Sequence, residues 1–166
     1  MGRTFKVERD PYDVGEKLYT KKNVIVEPGL TVLVGTNGSG KSTLINHIIK
    51  PQLDESGILY LSYNNLTDGH NRARQRALTM NRIEQLIKLT CSSEGEEICH
   101  NIAEMAGRIG SFIRKNSSAS ELWFIFDAID SGLSIDNIVD IKDQLFNTVF
   151  ETNPGKDIYI IVSANS

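Results

Sequence analysis

Gly35-Thr36-Asn37-Gly38-Ser39-Gly40-Lys41-Ser42 fills every fixed position of the pattern G-x-x-x-x-G-K-[ST]. It lies between an apolar run, Leu30-Thr31-Val32-Leu33-Val34, and a helix-like stretch, Thr43-Leu44-Ile45-Asn46-His47-Ile48-Ile49. The order strand, turn, helix start is what the chemistry of this pattern requires. Glycines at 35, 38 and 40 let the backbone turn tightly and come close to a polyphosphate, which a Cβ would hinder. The turn's N–H groups, from Asn37 through Gly38, Ser39, Gly40, Lys41 and Ser42 to Thr43, then face the phosphates together with the positive end of a helix. Lys41 adds a point charge at the β- and γ-phosphates, and the Ser42 hydroxyl is placed to bind Mg²⁺. The stretch predicts a nucleoside triphosphate as ligand, with Mg²⁺.

Working outward, the N-terminal third reads as short strands. Thr4 to Glu8 alternates, Val24-Ile25-Val26 is β-branched, and Glu27-Pro28-Gly29 turns into the strand that feeds the loop. The helix from about Lys41 is expected to stop near Lys50, because Pro51 disfavours helix in the residue before it. Ile58 to Tyr63 reads as a further strand, and Arg72–Leu89 and Glu96–Ile113 as helices, the second with Ile98, Ile102, Met105 and Ile109 on one stripe. Leu122-Trp123-Phe124-Ile125-Phe126 is an unbroken apolar run, the pattern of a strand buried on both faces. A helix over Ile135–Phe150, a break at Asn153-Pro154-Gly155 and a buried strand Ile158–Val162 follow. Alternating strands and amphipathic helices predict an α/β sandwich, its central strands parallel and flanked by helices, with an antiparallel portion at the N-terminus.

Asp127, which ends the apolar run, is the expected second Mg²⁺ anchor. A parallel strand beside the phosphate-loop strand would deliver it to the edge of the sheet where ligands bind.

The 166 residues, 40% hydrophobic and 23% charged, are read as one soluble globular domain, residues 1–166. A net charge of −3 argues against indiscriminate coating of nucleic acid, though not against a local basic patch. Cys91 and Cys99 lie near no histidine pair, so neither a zinc site nor a disulfide framework is indicated, and a reducing cytoplasm fits. No apolar stretch is long enough to span a bilayer, and Met1-Gly2-Arg3-Thr4-Phe5 lacks a signal-peptide core.

The residues after Asp127 carry a resemblance. Asp127-Ala128-Ile129-Asp130-Ser131-Gly132-Leu133-Ser134 is similar to the Walker B and D-loop region of ABC-type ATPases, roughly Asp-Glu-x-x-Ser-Gly-Leu, and most to the SMC and RecF-like branch. Asn-Gly-Ser-Gly-Lys-Ser is the ABC flavour of the phosphate loop. Ser92-Ser93-Glu94-Gly95-Glu96 resembles the ABC signature, and Val162-Ser163-Ala164-Asn165 falls where the family carries its switch histidine. The resemblance implies a P-loop sandwich of the ABC ATPase kind, with a small helical arm over roughly residues 64–115. It implies ATP rather than GTP, and no guanine-reading Asn-Lys-x-Asp motif appears. It also implies a head-to-tail homodimer in which Ser93 and Gly95 face the γ-phosphate held by the other subunit, and work on DNA or with a DNA-processing partner. A serine and helix N-terminal amides form an anion site on general grounds as well.

Three positions depart from the family. Ala128 stands where the general base belongs, and it has no proton acceptor. Asp130 or Asp136 is then the group to orient water, within the limits of hydrogen-bond reach. Asn165 (or Ala164) replaces the switch histidine, and an asparagine cannot carry a proton. Glu94 puts negative charge beside the signature's anion site. Catalytic roles fall to Lys41, Asp127, Asp130 and Asn165, and slow hydrolysis is expected. Two other readings stay open: a nucleotide-gated dimerisation switch without turnover, and the ATPase subunit of a transporter.

Asn64 or Asn65 is the nearest equivalent of a Q-loop glutamine. Tyr12 or Tyr19 serves either core packing or stacking on adenine. Arg72, Arg74, Arg76 and Arg82 form either a solvated helix face or a DNA-backbone contact. Trp123 is expected in the core.

Overall fold

The computed structural model describes residues 2–7, 19–64, 94–130 and 135–165, except for the side chains of 94–104 and 135–137. The helix expected over Arg72–Leu89, with its arginines, lies outside these residues, as do Tyr12 and Asn65. Strands β1 (Arg3–Lys6) and β2 (Asn23–Val26) pair antiparallel, as the alternation of the N-terminal third predicts. β3 (Gly29–Gly35) runs into the phosphate-loop sequence, and α1 (Lys41–Thr43) starts directly after it. A π-helical turn, Leu44–Ile49, and α2 (Lys50–Glu55) continue that helix. Then come β4 (Tyr60–Asn64), α3 (Glu94–Lys115) and β5 (Glu121–Asp127). α4 (Ile135–Asp140), a second π-helical turn Ile141–Phe146 and α5 (Asn147–Thr152) form one run before β6 (Asp157–Asn165).

The expected stop near Lys50 is corrected: helix continues to Glu55 with Pro51 in the first turn of α2. Proline has no N–H, so it is tolerated where the bonding pattern already changes. The π-helical turn supplies that change, with the Lys50 N–H bonded five residues back to the Ile45 carbonyl. Leu53, fully buried one turn on, gives the chain reason to continue.

β3, β6, β5 and β4 form the central sheet in that order, all parallel. The sandwich is thus of the α/β kind anticipated, but β5 is not beside β3. β6 lies between them, with Val162 paired to Val32 on one side and to Phe126 on the other. Burial explains the order. Ile158 to Val162 are all buried, which suits a central parallel strand, whereas Leu30, Val32 and Val34 of β3 are exposed, as an edge strand allows.

The strands divide their side chains between two cores. Leu122, Phe124 and Phe126 of β5 join Ile158, Ile160 and Val162 of β6 on one face, under Met105 and Ile109 of α3 and the helical run of 135–152. Trp123, Ile125, Tyr159 and Ile161 face the other way, onto Ile45, Ile48, Ile49 and Leu53 of the phosphate-loop helix and onto Phe5 and Val26. Trp123 stacks on Tyr159 at 4.0 Å between ring centroids and meets Phe5 edge-on. The phosphate-loop helix is therefore held by large apolar contacts to the strand that carries Asp127.

Candidate functional site

The turn after β3 is built on two residues with left-handed backbone, Gly38 at φ 80° and Gly40 at φ 90°. A side chain would be strained at either, so only glycine serves there at low cost. Among the described residues, and its chain neighbours apart, nothing lies within 4 Å of where a Cβ on Gly38 would stand. Gly40 begins the helix without a side-chain cap. Its carbonyl accepts from the Leu44 N–H at 2.8 Å and from the Tyr19 hydroxyl at 2.6 Å.

Lys41 turns its ammonium back over the loop, donating to the Gly35 carbonyl at 2.5 Å, the Thr36 carbonyl at 2.9 Å and Asn165 Oδ1 at 3.2 Å. The Ser42 hydroxyl donates to Asp127 Oδ1 at 3.1 Å. Asp127 is 2% exposed, and its carboxylate has further donors. The Ser163 hydroxyl reaches Oδ1 at 2.5 Å and Asn64 Nδ2 reaches Oδ2 at 3.3 Å. Asn64, one of the two residues considered as a Q-loop equivalent, thus contacts the metal-anchor candidate from the neighbouring strand.

Ser163 was not singled out from sequence. Its hydroxyl also accepts the Ala128 N–H at 2.8 Å, and its carbonyl accepts the Ile129 N–H at 3.1 Å. The signal was present: a lone polar residue ending a buried apolar strand must find partners. Ala128 is the one non-glycine residue with positive φ among the described residues, at 54°. The Asn165 N–H donates to Asp130 Oδ2 at 2.8 Å, while Asp130 Oδ1 is buried without a hydrogen-bond partner among the described residues. Segment 127–130 is therefore fastened to the end of β6, which is how Asp127 reaches Ser42 with a strand interposed.

The phosphate loop and the ends of β5 and β6 line one cavity of about 490 Å³. Asn37, Gly38, Ser39, Gly40, Lys41, Ser42 and Thr43 form one wall, and Asp127, Ala128, Asp130, Ser163, Ala164 and Asn165 the other. Asp130, expected further along a loop, shares the cavity with Lys41. Ser93 lies outside the described residues, and of Gly95 only its place in the first turn of α3 is described. Tyr19 does not line the cavity; its ring packs against the core beneath the phosphate-loop helix.

The donor set fits Mg²⁺ carried in with a nucleotide. Mg²⁺ takes one or two protein oxygens, phosphate oxygens and waters rather than an all-protein cage. Ser42 and Asp127 offer one hydroxyl and one carboxylate side by side, and no group of three or more acidic, histidine or cysteine ligands occurs among the described residues. Bound there, Mg²⁺ would neutralise phosphate charge. No described helix is long and apolar enough to cross a membrane.

No curated protein sequence matches the chain. A family model described as ABC transporter matches residues 22–146, from just before β2 to the end of the second π-helical turn. With most of its length matched, and with loop, lysine and buried aspartate gathered round one cavity, the chain belongs to this family as a nucleotide-binding protein of the ABC ATPase type.

Proposed function

We propose that the chain is a Mg·ATP-binding ABC-type ATPase of the SMC/RecF-like branch, which dimerises head-to-tail around ATP and hydrolyses it slowly. The observation that supports its Mg·ATP-binding part is the Ser42–Asp127 contact beside a loop over which Lys41 is folded; the branch, the dimer and the slow turnover rest on family analogy. Asn37, Gly38, Ser39, Gly40, Lys41, Ser42 and Thr43 hold the phosphates, and Ser42 and Asp127 hold the metal. Ser93 and Gly95 complete the site of a second copy. Asp130 and Asn165 take the water-side roles left vacant by Ala128 and the missing histidine. Residues 1–166 act as one domain, with an arm over roughly 64–115. Its place is the cytoplasm and its task DNA maintenance or repair with a DNA or DNA-processing partner, an assignment that rests on family analogy.

A second reading is favoured by Ala128. A methyl group where a base is needed supports a nucleotide-gated dimerisation switch that holds ATP without turnover. The transporter-subunit reading has the description of the family model behind it, while the shortness of the helical arm stands against it. Steady-state ATP hydrolysis against protein concentration, with Lys41→Ala as the blank, separates the first two. A rate that rises faster than linearly and vanishes in the variant supports the ATPase dimer. A rate no higher than the blank's, in protein that binds ATP, leaves the switch.

A further inference from the structure

We propose that Tyr19 is a positioning residue for phosphate binding: its hydroxyl, not its ring, serves the nucleotide by fixing the Gly40–Lys41 peptide. The proposal rests on the reading that the 35–42 loop holds the phosphates. Gly40 has a left-handed backbone and no side-chain cap, so little within the loop itself restrains that peptide plane. Two donors restrain it from outside, the Leu44 N–H along the helix and the Tyr19 hydroxyl across 21 residues of sequence, at 2.6 Å. In a planar trans peptide the carbonyl and the following N–H point in opposite directions. With the Gly40 carbonyl held towards Tyr19, the Lys41 N–H is turned away from it, to the side where Lys41 lines the cavity.

The ring's surroundings argue the same way. It packs against the cluster that contains Ile45, Ile48, Ile49 and Trp123, and it is absent from the cavity wall. The ring is partly buried with contacts to that cluster, and its hydroxyl at the core's edge can brace the loop above it. Tyr19 thereby joins the apolar core to the Gly40 carbonyl, on the side of the peptide opposite to its phosphate-facing N–H. The ligand it favours is the polyphosphate chain itself, whatever base is attached.

Calorimetric titration of Tyr19→Phe with Mg·ATP, Mg·tripolyphosphate and adenosine tests this. One hydrogen bond's worth of positioning is lost, so affinity for ATP and for tripolyphosphate should fall by a similar factor, about fivefold. Adenosine binding should not change. In ¹⁵N-labelled protein the Lys41 amide resonance should move in the Phe variant before any ligand is added. Unchanged tripolyphosphate affinity, or a loss seen with ATP alone, would overturn the proposal. Should the Phe variant not fold, the unaltered protein still decides: Overhauser contacts between adenine H2 or H8 and the Tyr19 ring would make the ring a base platform and sink the idea. Their absence, with the Lys41 amide shifting on tripolyphosphate addition, supports it. If the unaltered protein binds no tripolyphosphate, or binds it no better than Lys41→Ala, the reading of the loop fails first and this proposal with it.

Discussion

The Ser42 hydroxyl donates to Asp127 Oδ1 across 3.1 Å, although 85 positions separate the two residues. Neither is merely near the other. Each ends its own element: the serine opens a helix over the phosphate loop, and the aspartate closes a strand. The fold thus brings a hydroxyl and a carboxylate together at one point, where a divalent ion needs few protein ligands.

Asp127→Asn keeps the shape and the acceptor but removes the charge. Mg·ATP affinity should fall about tenfold to a hundredfold, in line with the loss of a charged partner. ATP titrated in the presence of a chelator should bind the variant and the unaltered protein nearly alike. Equal losses with and without Mg²⁺ would show that Asp127 acts on the loop rather than on the ion.

Ser163 bridges the Asp127 carboxylate and the Ala128 N–H from a site that is 1% exposed. Ser163→Ala strands one part-buried donor and removes one buried hydrogen bond to a carboxylate. Such changes cost about 1–3 kcal/mol. Urea unfolding should show that loss, and Mg·ATP affinity should drop as Asp127 loosens. A variant as stable as the parent would mean that the Ala128 N–H finds another acceptor.

Much of this was legible beforehand because two of its signals are local. The glycine-lysine turn and the apolar run into Asp127 each announce an element and its end within a few residues. Order within the sheet is not local. Nothing adjacent to Leu122–Phe126 says that Ile158–Val162 will insert beside it; only the exposure of Leu30, Val32 and Val34 shows β3 as the edge. The helix past Pro51 was missed for a related reason, since the π-helical turn that admits the proline depends on packing of Ile45, Ile49 and Leu53. The role of Ser163 likewise appears only once β5 and β6 are side by side.

Ala128 combines two tests. At φ 54° it bears the left-handed penalty of a residue with a Cβ, about 1–2 kcal/mol. Glycine removes that penalty but gains freedom in the unfolded chain, worth about 0.4–1 kcal/mol the other way. Ala128→Gly should therefore be neutral to slightly stabilising in thermal unfolding. Ala128→Glu restores a proton acceptor at the cavity wall, and hydrolysis should rise about a hundredfold or more if general-base catalysis is what the chain lacks. No rise, with ATP still bound, would place the defect elsewhere, with Asn165 the next residue to change.

Trp123 and Tyr159 are stacked at 4.0 Å and nearly parallel, 4° between planes, and both are buried. Trp123→Ala should cost about 3–5 kcal/mol in urea unfolding, the range for an aromatic removed from a core. Tyr159 adds a pH signature. Burial, then the negative charges of Asp157 and Glu121, pushes its phenol pKa above the usual 10, against a smaller opposing effect of Arg3. The folded state therefore keeps the proton that the unfolded chain releases first. Stability from this group is complete below pH 10 and is lost as pH rises from there through the folded-state pKa. Tyr159→Phe keeps the stacked ring and has no phenol to titrate, so its stability should decline less steeply above pH 10 than the parent's. Tyr60, also raised by burial and by Asp54, remains in both proteins and cancels in the comparison. Identical alkaline limbs would show that the Tyr159 phenol is no harder to ionise when folded than when unfolded.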